Sequence, residues 1–472
     1  MAVSAAFGDR RRPVPINTLA LILAAALTAK WFVSTPNGIP GLFKGGLWEL
    51  SGPLGTVTAD EVAADMWAPG SKAAVVPGRM LGGGHDLSGK LAIVTGANSG
   101  LGRETARVLV TRGCHVVMAC RDEDRCREAA GDIMSMSAED GERGGTLEVM
   151  ALDLASLASV RTFAQVLLSK MEEGWGYSWQ RVDFLINNAG IMALPTYETS
   201  ADGYEKQFAT NHLGHFFLTT LLLPRLGDGS RVVNLASVTH ILAPLDVDTS
   251  QLPLKPHNYG LSLLGVPLPG YGVHAYGISK AANILFSLEL RKRLAGTGVA
   301  VVSGHPGIVQ TELSRNSWVA DLTYTVVAPI AQALLRRKFM KTIPQGAANT
   351  LCMALHPVPM PAAGEDMTDG LYWADCEPVG SREDEPGRMF HDVVFNETKA
   401  TQLWERSEAL VKSAMFMTDN VPYTWDDPNK VMDQPAMDRF KATKAVEALA
   451  PPPPPPEFLG VDTAEKDHDK EL

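Results

Sequence analysis

Short runs of β-branched and other apolar residues alternate along the middle of the chain with longer segments whose apolar positions recur every three or four residues. The short runs predict strands at residues 91–95, 116–119, 147–151, 184–186, 231–235 and 299–302. The longer segments predict helices at residues 104–111, 123–134, 157–171, 203–222 and 276–294. Alternation of strands and helices is typical of a parallel sheet covered on both faces. The pattern therefore predicts a single α/β domain, doubly wound around a parallel sheet, over residues 86–417.

The N-terminal residues follow a different pattern. Three arginines at positions 10–12 precede an uncharged, mostly apolar run at residues 14–29. Extended to residue 33, the run reaches the ~20 residues that a helix needs to cross a bilayer. It is compatible with a membrane anchor, a cleaved targeting peptide or a buried helix, and its length and flanks favour the anchor. We expect residues 1–34 to be an anchor or targeting segment that associates the protein with a membrane through residues 14–33.

Two further segments lack sustained periodicity. Residues 35–85 are rich in Gly and Pro and predict a linker with one short helix near residues 60–67. Residues 418–472 contain six consecutive prolines, Pro451 to Pro456, and end in a charged stretch. Because consecutive prolines cannot donate backbone hydrogen bonds and favour an extended helix, we expect a largely disordered tail.

Composition narrows the range of partners. The 472 residues include 42 Lys and Arg against 53 Asp and Glu, a formal net charge of −11, without a basic block long enough to follow a phosphate backbone. Nucleic acid is therefore not an expected partner. The 5 cysteines form no Cys-x-x-Cys pair and no metal-ligand cluster, and their odd number is not typical of a disulfide framework. We expect a reducing compartment and no metal site.

A glycine-rich turn follows the first predicted strand and leads directly into a helix. The turn consists of Thr95, Gly96, Ala97, Asn98, Ser99, Gly100, Leu101 and Gly102. Glycines allow a tight turn and a close approach of the backbone to a pyrophosphate, which the free N–H groups at the helix start can bind. Strand, turn and helix in this order predict a Rossmann-type dinucleotide site, at which Asn98 and Ser99 add hydrogen bonds.

The residue after the second predicted strand bears on the choice of dinucleotide. A fold that prefers NAD places an acidic residue there, on the ribose 2′-hydroxyl. This chain has Arg121, whose guanidinium suits a 2′-phosphate in charge and in bidentate geometry. NADP(H) is therefore the expected cofactor. The alternative is that Arg121 forms a surface ion pair with Asp122 or Asp124.

Tyr276 and Lys280 are candidate catalytic residues. Their spacing of four residues on a predicted helix projects both side chains from one face. An ammonium group lowers the pKa of a neighbouring phenol, whose unperturbed value of about 10 makes it a poor acid or base at neutral pH. Ser237, just after a predicted strand, can hydrogen-bond a substrate carbonyl oxygen, and Asn211 can hold a proton-carrying water beside Lys280.

Taken in order, these motifs resemble those of the short-chain dehydrogenases/reductases. The resemblance is carried by residues 95–102, Asp153-Leu154, Asn187-Asn188-Ala189-Gly190, Asn211-His212-Leu213-Gly214-His215, Ser237, 276–280 and His305-Pro306-Gly307. The retinol-dehydrogenase-like branch is the most similar, in residues 187–192, 199–205, 211–219, 275–286 and 403–410. The protochlorophyllide reductases are similar in residues 153–157 and 211–215, differ at 187–190 and rank second. The resemblance covers residues 86–415.

The resemblance implies a role for each matching residue. Tyr276 is expected to be the general acid/base, Lys280 to assist it and hold the nicotinamide ribose, Ser237 to orient the carbonyl, and Asn211 to complete a proton relay. The other expected cofactor contacts are Asp153 and Leu154 at the adenine, and Asn188, Pro306, Gly307, Ile308 and Thr311 at the nicotinamide. The implied reaction interconverts a carbonyl compound and its alcohol by hydride transfer with NADP(H). Reduction of a carbon–carbon double bond and a non-catalytic NADP(H)-binding role are the alternatives.

Two segments outside the motifs bear on substrate and location. Residues 238–275 form a long stretch with five prolines, which is either a lid beside the site or a surface insertion. Residues 318–335 are mainly apolar and precede a basic cluster, which suits either contact with a membrane surface or a soluble core helix. We expect a lipophilic small-molecule substrate and a location at the endoplasmic reticulum membrane, with a plastid as the alternative.

Overall fold

The computed structural model of the protein describes a set of ranges with gaps between them. These ranges are residues 58–63, 86–139, 144–173, 180–194, 196–242, 252–255, 262–263, 266–267, 272–309, 340–358, 360–362, 364–379 and 395–419. The predicted N-terminal anchor, the apolar segment at 318–335, most of the stretch at 243–271 and the tail from residue 420 lie outside them. What the sequence predicts for those segments stays a prediction.

Strands form the centre of the fold. In chain order they are β1 (Leu91–Thr95), β2 (His115–Cys120), β3 (Thr146–Ala151), β4 (Phe184–Asn187), β5 (Arg231–Leu235), β6 (Ser262–Leu263), β7 (Val266–Pro267), β8 (Ala300–His305), β9 (Ile308–Val309), β10 (Met340–Lys341), β11 (Tyr372–Ala374) and β12 (Glu377–Val379). Eight of them form one sheet in the order β3-β2-β1-β4-β5-β8-β11-β12. Its neighbouring strands are parallel except for β11 and β12. The strand order reverses between β1 and β4, where such sheets form a ligand crevice at their carboxyl ends.

Helices cover the sheet. They are α1 (Ala59–Ala63), α2 (Gly100–Thr111), α3 (Glu123–Glu139), α4 (Leu157–Glu172), α5 (Lys206–Phe208), α6 (Gly214–Leu222), α7 (Gly272–Arg293), α8 (Ile343–Leu355) and α9 (Glu397–Asp419). A π turn at Ala209–Leu213 joins α5 to α6, and 3-10 turns occur at Leu223–Arg225 and Val238–Leu242. Among these helices none is long and apolar enough to span a bilayer.

Both faces of the sheet are buried. Successive side chains of a strand point to opposite faces. Ile93 of β1 joins an apolar cluster with α4, α6, α7 and α9, whereas Ala92 and Val94 join a second cluster with α1, α2, α3 and α8. This arrangement confirms the doubly wound parallel sheet that the sequence predicts.

Helix α1 lies within the stretch that the sequence assigns to a linker. Ala59 and Val62 are buried in the second apolar cluster, and Asp60 pairs with Arg107 of α2 at 2.7 Å. The short helix predicted near residues 60–67 is thus present at Ala59–Ala63, and it packs against the domain built on the sheet.

Several elements differ from the sequence predictions. The helix expected at residues 203–222 begins at Lys206 and is interrupted by the π turn. Helices α8 and α9 and the strand pair β11–β12 were not predicted. Helix α8 is rich in small residues and lacks a clear apolar stripe, and its start is defined by a capping box of Thr342 and Gln345.

The cysteines correct one expectation. Disulfides join Cys120 to Cys126 and Cys352 to Cys376, and Cys114 is free and buried. Two disulfides are thus present, although the odd number of cysteines is not typical of a disulfide framework. Each pair joins a helix to a strand end or a strand turn, a proximity that only the fold creates. The expectation of a reducing compartment rested on the apparent lack of a disulfide framework, so the two disulfides remove its support.

Candidate active site

A tight turn joins β1 to α2 at the centre of the sheet. Gly96 and Gly100 have φ values of 66° and 54°, in the left-handed region that glycine adopts without steric cost. An ideal Cβ at Gly102 would lie 2.4 Å from the carbonyl oxygen of Gly96 and 2.5 Å from Asn188 Nδ2. The backbone packing therefore requires glycine at this point, and the open side of the turn fits a pyrophosphate.

The N-terminus of α2 is open to an anion. Ser99 is the N-cap residue, but its side chain makes no capping hydrogen bond. The first turn of α2 has no acidic residue, so the positive end of the helix dipole meets no opposing charge there. Asn98 and Leu101 are half-buried at the same turn. The residues predicted to contact the phosphates are thus collected at one helix start.

Arg121 follows β2 and is exposed. The acidic residues beside it pair elsewhere, because Asp122 Oδ1 accepts the N–H of Arg125 at 3.1 Å and Asp124 pairs with Arg127 at 3.0 Å. In the described part of the chain, the ion pairs around α3 do not include Arg121. The surface ion pair weighed as the alternative is therefore not formed, and the guanidinium is available to an anion.

Asp153 and Leu154 follow β3. The carboxylate of Asp153 accepts the N–H of Ala155 at 2.9 Å. Leu154 is buried against α6, where an ideal Cβ at Gly214 would lie 2.5 Å from the Leu154 carbonyl oxygen. Both residues shape the loop after β3, and the adenine contacts expected of them stay a prediction.

Thr95, the last residue of β1, ties the glycine turn to the end of β4. Its hydroxyl oxygen accepts the N–H groups of Asn188 at 3.0 Å and Ala189 at 2.9 Å, and its carbonyl oxygen accepts Asn188 Nδ2 at 2.8 Å. Asn188 is thereby held beside the turn at the crevice between β1 and β4.

His215 connects Thr95 to Asn211. His215 Nδ1 lies 3.0 Å from the carbonyl oxygen of Asn211, and Nε2 lies 2.9 Å from Thr95 Oγ1. Because a carbonyl oxygen only accepts, Nδ1 carries the proton and Nε2 accepts from the Thr95 hydroxyl. Burial lowers the pKa of His215 to about 4, so the ring is neutral and these bond directions hold at neutral pH.

Asn211 lies in the π turn, a feature that is frequent at functional sites. Its Oδ1 accepts the N–H of Ile191 at 2.8 Å, and its Nδ2 donates to the Ile191 carbonyl oxygen at 3.0 Å and to Ser279 Oγ at 2.9 Å. An ideal Cβ at Gly190 would lie 3.3 Å from Asn211 Oδ1 and 3.5 Å from Lys280 Nζ. The structure therefore brings Asn211 and Lys280 together at Gly190, where the predicted relay needs them.

Tyr276 and Lys280 lie one turn apart on α7. Lys280 Nζ is 5.7 Å from the centroid of the Tyr276 ring and donates to the Leu235 carbonyl oxygen at 2.9 Å. Burial lowers the pKa of Lys280 to about 8, so the ammonium stays mostly charged at neutral pH. Tyr276 packs with the apolar residues Met192, Ala193 and Val273.

Ser237 follows β5 and precedes the 3-10 turn at Val238–Leu242, against which α7 packs. The Leu235 carbonyl oxygen, which binds Lys280, also accepts Asn283 Nδ2 at 3.0 Å. Two side chains of α7 therefore hold the strand end that carries Ser237. Ser237 itself is half-buried.

The segment after β8 carries Pro306, Gly307 and Ile308. Gly307 has a φ of 85°, and its N–H donates to His305 Nδ1 at 3.0 Å. Ile308 pairs with Met340 between β9 and β10. Thr311, the last predicted cofactor contact, lies outside the described residues. This segment follows the carboxyl end of β8, and the glycine turn follows the carboxyl end of β1. Both therefore lie on the same side of the parallel sheet.

Comparison with known proteins bears on this arrangement. The family model for short chain dehydrogenase matches residues 90–244. A crystal structure of an uncharacterized protein from Mycobacterium paratuberculosis is 31% identical, covers 69% of this chain and 95% of that chain, and has a TM-score of 0.45. Retinol dehydrogenase 12 of Bos taurus is 39% identical over 293 residues, which are 62% of this chain and 79% of that protein. Retinol dehydrogenase 13 of Homo sapiens is 36% identical over 335 residues, 69% of this chain and 85% of that protein. The chain belongs to the short-chain dehydrogenase/reductase superfamily.

Within this superfamily the relatives place the chain in the retinol-dehydrogenase-like branch, so it is an oxidoreductase. The family resemblance that the sequence motifs indicated is confirmed. Within the described ranges, no group of three His, Cys, Asp or Glu side chains is arranged to hold a metal ion.

Several polar residues border this short-chain dehydrogenase/reductase site without a role having been predicted for them. Thr239 and His240 hydrogen-bond to Ser237. Lys341 forms an ion pair with Asp375 directly behind Gly307. Sequence spacing offers a signal only for Thr239 and His240, which follow Ser237 closely. Lys341 and Asp375 come from separate elements, so their meeting depends on the fold.

Proposed function

We propose that the protein is an NADP(H)-dependent oxidoreductase that interconverts a lipophilic carbonyl compound and its alcohol. The observation that carries the proposal is the convergence of Lys280 and Asn211 at Gly190, with Tyr276 one helical turn from Lys280. A buried cation beside a phenol has a direct use in proton transfer, and burial of a lysine is otherwise unfavourable.

Tyr276 acts as the general acid in the reductive direction, and its phenolic proton passes to the substrate oxygen. Lys280 favours the phenolate that this transfer leaves. Ser237 donates a hydrogen bond to the same oxygen and so stabilises the charge that develops there. Asn211 and Lys280 hold the path by which Tyr276 regains a proton. When bound, NADPH supplies the hydride.

The glycine turn suits either dinucleotide, and Arg121 favours NADP(H) over NAD(H). Gly96, Gly100 and Gly102 give the pyrophosphate access to the start of α2. Arg121 is exposed and outside the neighbouring ion pairs, so its guanidinium can bind the 2′-phosphate in a bidentate manner. Asn188, Pro306, Gly307 and Ile308 border the nicotinamide end.

The substrate class follows from the apolar surroundings of the phenol. Met192, Ala193 and Val273 pack around Tyr276 and would meet a hydrocarbon chain or ring next to the reacting carbonyl. The relatives named as retinol dehydrogenases are consistent with a lipophilic alcohol or aldehyde. Retinal is therefore a suitable first probe.

The test uses the purified full-length protein, NADPH and three carbonyl probes: retinal, nonanal and a steroid ketone. We expect oxidation of NADPH with formation of the alcohol, and a loss of about 100-fold or more in kcat for Tyr276→Phe. Tyr204→Phe is the control, because it removes the hydroxyl of a half-buried tyrosine that donates to the Leu410 carbonyl oxygen on α9.

Each contrary result has a distinct meaning. If Tyr276→Phe oxidises NADPH as fast as the wild type, the proposed mechanism is wrong. Binding of NADPH without turnover of any probe would favour the non-catalytic role. If a carbon–carbon double bond of the probe is reduced and the carbonyl is retained, the result would favour an activity like that of the protochlorophyllide reductases.

A further inference from the structure

The hydroxyl of Ser237 is contacted from one side by the residue two positions further along. Thr239 Oγ1 donates to Ser237 Oγ at 2.9 Å, and the N–H of Thr239 approaches the same oxygen at 3.2 Å. The carbonyl oxygen of Ser237 accepts the N–H of His240 at 3.0 Å and lies 2.7 Å from His240 Nδ1. Ser237 is thus held at both its side chain and its main chain by the 3-10 turn that follows it.

The direction of the Ser237 proton follows from which of the two hydroxyls, Ser237 or Thr239, donates to the other. A serine hydroxyl has one proton to donate and two lone pairs to accept with. When the Thr239 hydroxyl donates alongside the Thr239 N–H, both lone pairs of Ser237 Oγ are occupied and its own proton points away from the turn. Ser237 and Thr239 are half-buried, whereas His240 is buried with 0% exposure. The hydroxyl pair therefore lies at the accessible side of the turn and the imidazole at its rear.

We propose that Thr239 is a positioning residue that orients the Ser237 hydroxyl as a hydrogen-bond donor toward the substrate oxygen. This inference rests on the proposed function, in which Ser237 donates to that oxygen. A hydroxyl that accepts a hydrogen bond is polarised and becomes a better donor in turn. Without the Thr239 hydroxyl, the Ser237 proton is free to turn away from the substrate.

The experiment compares three variants in the steady-state reduction of retinal by NADPH. Thr239→Val keeps the shape of the side chain but removes its hydroxyl, and we expect kcat to fall about 10-fold with the KM for NADPH unchanged. Thr239→Ser restores the hydroxyl, and its kcat should lie within about 2-fold of the wild type. Val238→Ala is the matched control, because it alters the same turn without touching the Ser237 hydroxyl.

A second measurement separates positioning from a general disturbance of the turn. In a Ser237→Ala background the Thr239 hydroxyl has no partner to orient, so adding Thr239→Val should change kcat by less than about 2-fold. An equal loss in both backgrounds, or an equal loss in Val238→Ala, would overturn the proposal. If Ser237→Ala alone leaves kcat unchanged, the proposed function fails. If Ser237→Ala slows the reaction and Thr239→Val does not, only the role of Thr239 fails.

Discussion

At the scale of one residue, the catalytic role proposed for Lys280 opposes the stability of the fold. Burial lowers the pKa of Lys280 to about 8, from about 10.4 in an unfolded chain. At about pH 7 the folded state therefore holds a poorly solvated cation, at a cost of about 3 kcal/mol relative to the unfolded chain. A side chain needed only for packing would not carry this charge.

The variant Lys280→Met is expected to raise the free energy of unfolding of the cofactor-free protein by about 3 kcal/mol at about pH 7, while its activity is lost. The Leu235 carbonyl oxygen keeps its bond to Asn283 Nδ2, so the substitution leaves that acceptor paired. Because the folded pKa is below the unfolded one, wild-type stability rises with pH between about 8 and 10.4, and the difference between the two proteins narrows over that window. Urea unfolding at several pH values measures it. A Lys280→Met protein less stable than the wild type at about pH 7 would contradict the argument.

Arg121 offers a test of cofactor preference. Hydrogen bonds to charged groups contribute about 1.5–3 kcal/mol, so Arg121→Ala should raise the KM for NADPH by about 10- to 100-fold and leave the KM for NADH nearly unchanged. Arg127→Ala is the control, since Arg127 lies on α3, six positions after Arg121, but pairs with Glu123 and Asp124. Equal effects of Arg121→Ala on both cofactors would show that the guanidinium does not contact the 2′-phosphate.

The residues of the candidate site differ in how far the sequence alone could predict them. The glycine turn and the pair Tyr276 and Lys280 are local patterns, and the structure places them as predicted. The contributions of Thr95 and His215 could not be predicted from the sequence, because they depend on the fold bringing β1, β4 and the π turn together. The hydrogen bonds of Thr95 to Asn188 and to His215 join residues more than ninety positions apart in the chain.

At the scale of elements, the disulfide Cys352–Cys376 links α8 to the turn between β11 and β12. Beside it, the N–H of Cys376 donates to Asn349 Oδ1 at 2.8 Å, and Asn349 Nδ2 donates to the His305 carbonyl oxygen at 2.9 Å. The bridge thus fastens the edge of the sheet next to the segment that carries Gly307.

Reduction of this bridge should destabilise the fold. In a Cys120→Ala/Cys126→Ala background, a thiol reductant is expected to lower the free energy of unfolding by about 3 kcal/mol, because opening the loop increases the entropy of the unfolded chain. Adding Cys352→Ala should abolish the effect of the reductant. Unfolding curves recorded with and without reductant test this, and an unchanged midpoint in the first background would mean that the bridge is absent in solution.

The elements that were not predicted have one property in common: their sequences give only a weak pattern of apolar and polar positions. Strands β11 and β12 are three residues long, too short to display an alternation of apolar and polar positions. Helix α8 packs through Gly346, Ala347 and Ala348, whose small side chains produce little contrast between faces. The π turn depends on packing around Asn211 and has no sequence period of its own.

At the scale of the whole molecule, the protein is acidic, with a net charge of −11, whereas the groups proposed to bind the cofactor are positively charged. The acidic surplus is spread over the chain, whereas the proposed site relies on two cations, Arg121 and Lys280, and on backbone N–H groups. One sheet holds strands from residue 91 to residue 379 of the 472 residues.

The N-terminal anchor is a prediction that belongs to the whole chain, because it concerns where the catalytic domain is held. An apolar run of ~20 residues is long enough to span a bilayer, so the full chain should stay with membranes during carbonate extraction. Deletion of residues 1–34 should release the protein and leave kcat unchanged, since the described site begins at Thr95. Release of the full chain itself by carbonate would contradict the anchor, and a mature protein that starts near residue 30 would identify a cleaved targeting peptide instead.

A longer deletion separates anchoring from folding. Removal of residues 1–85 also removes α1, whose Ala59 and Val62 are buried against the domain and whose Asp60 pairs with Arg107. Burial of two such side chains contributes on the order of 2 kcal/mol, so this truncated protein should unfold at a lower urea concentration than the protein that lacks residues 1–34. Equal midpoints for the two truncations would mean that α1 adds nothing to the fold and that the whole stretch before residue 86 is only a connection.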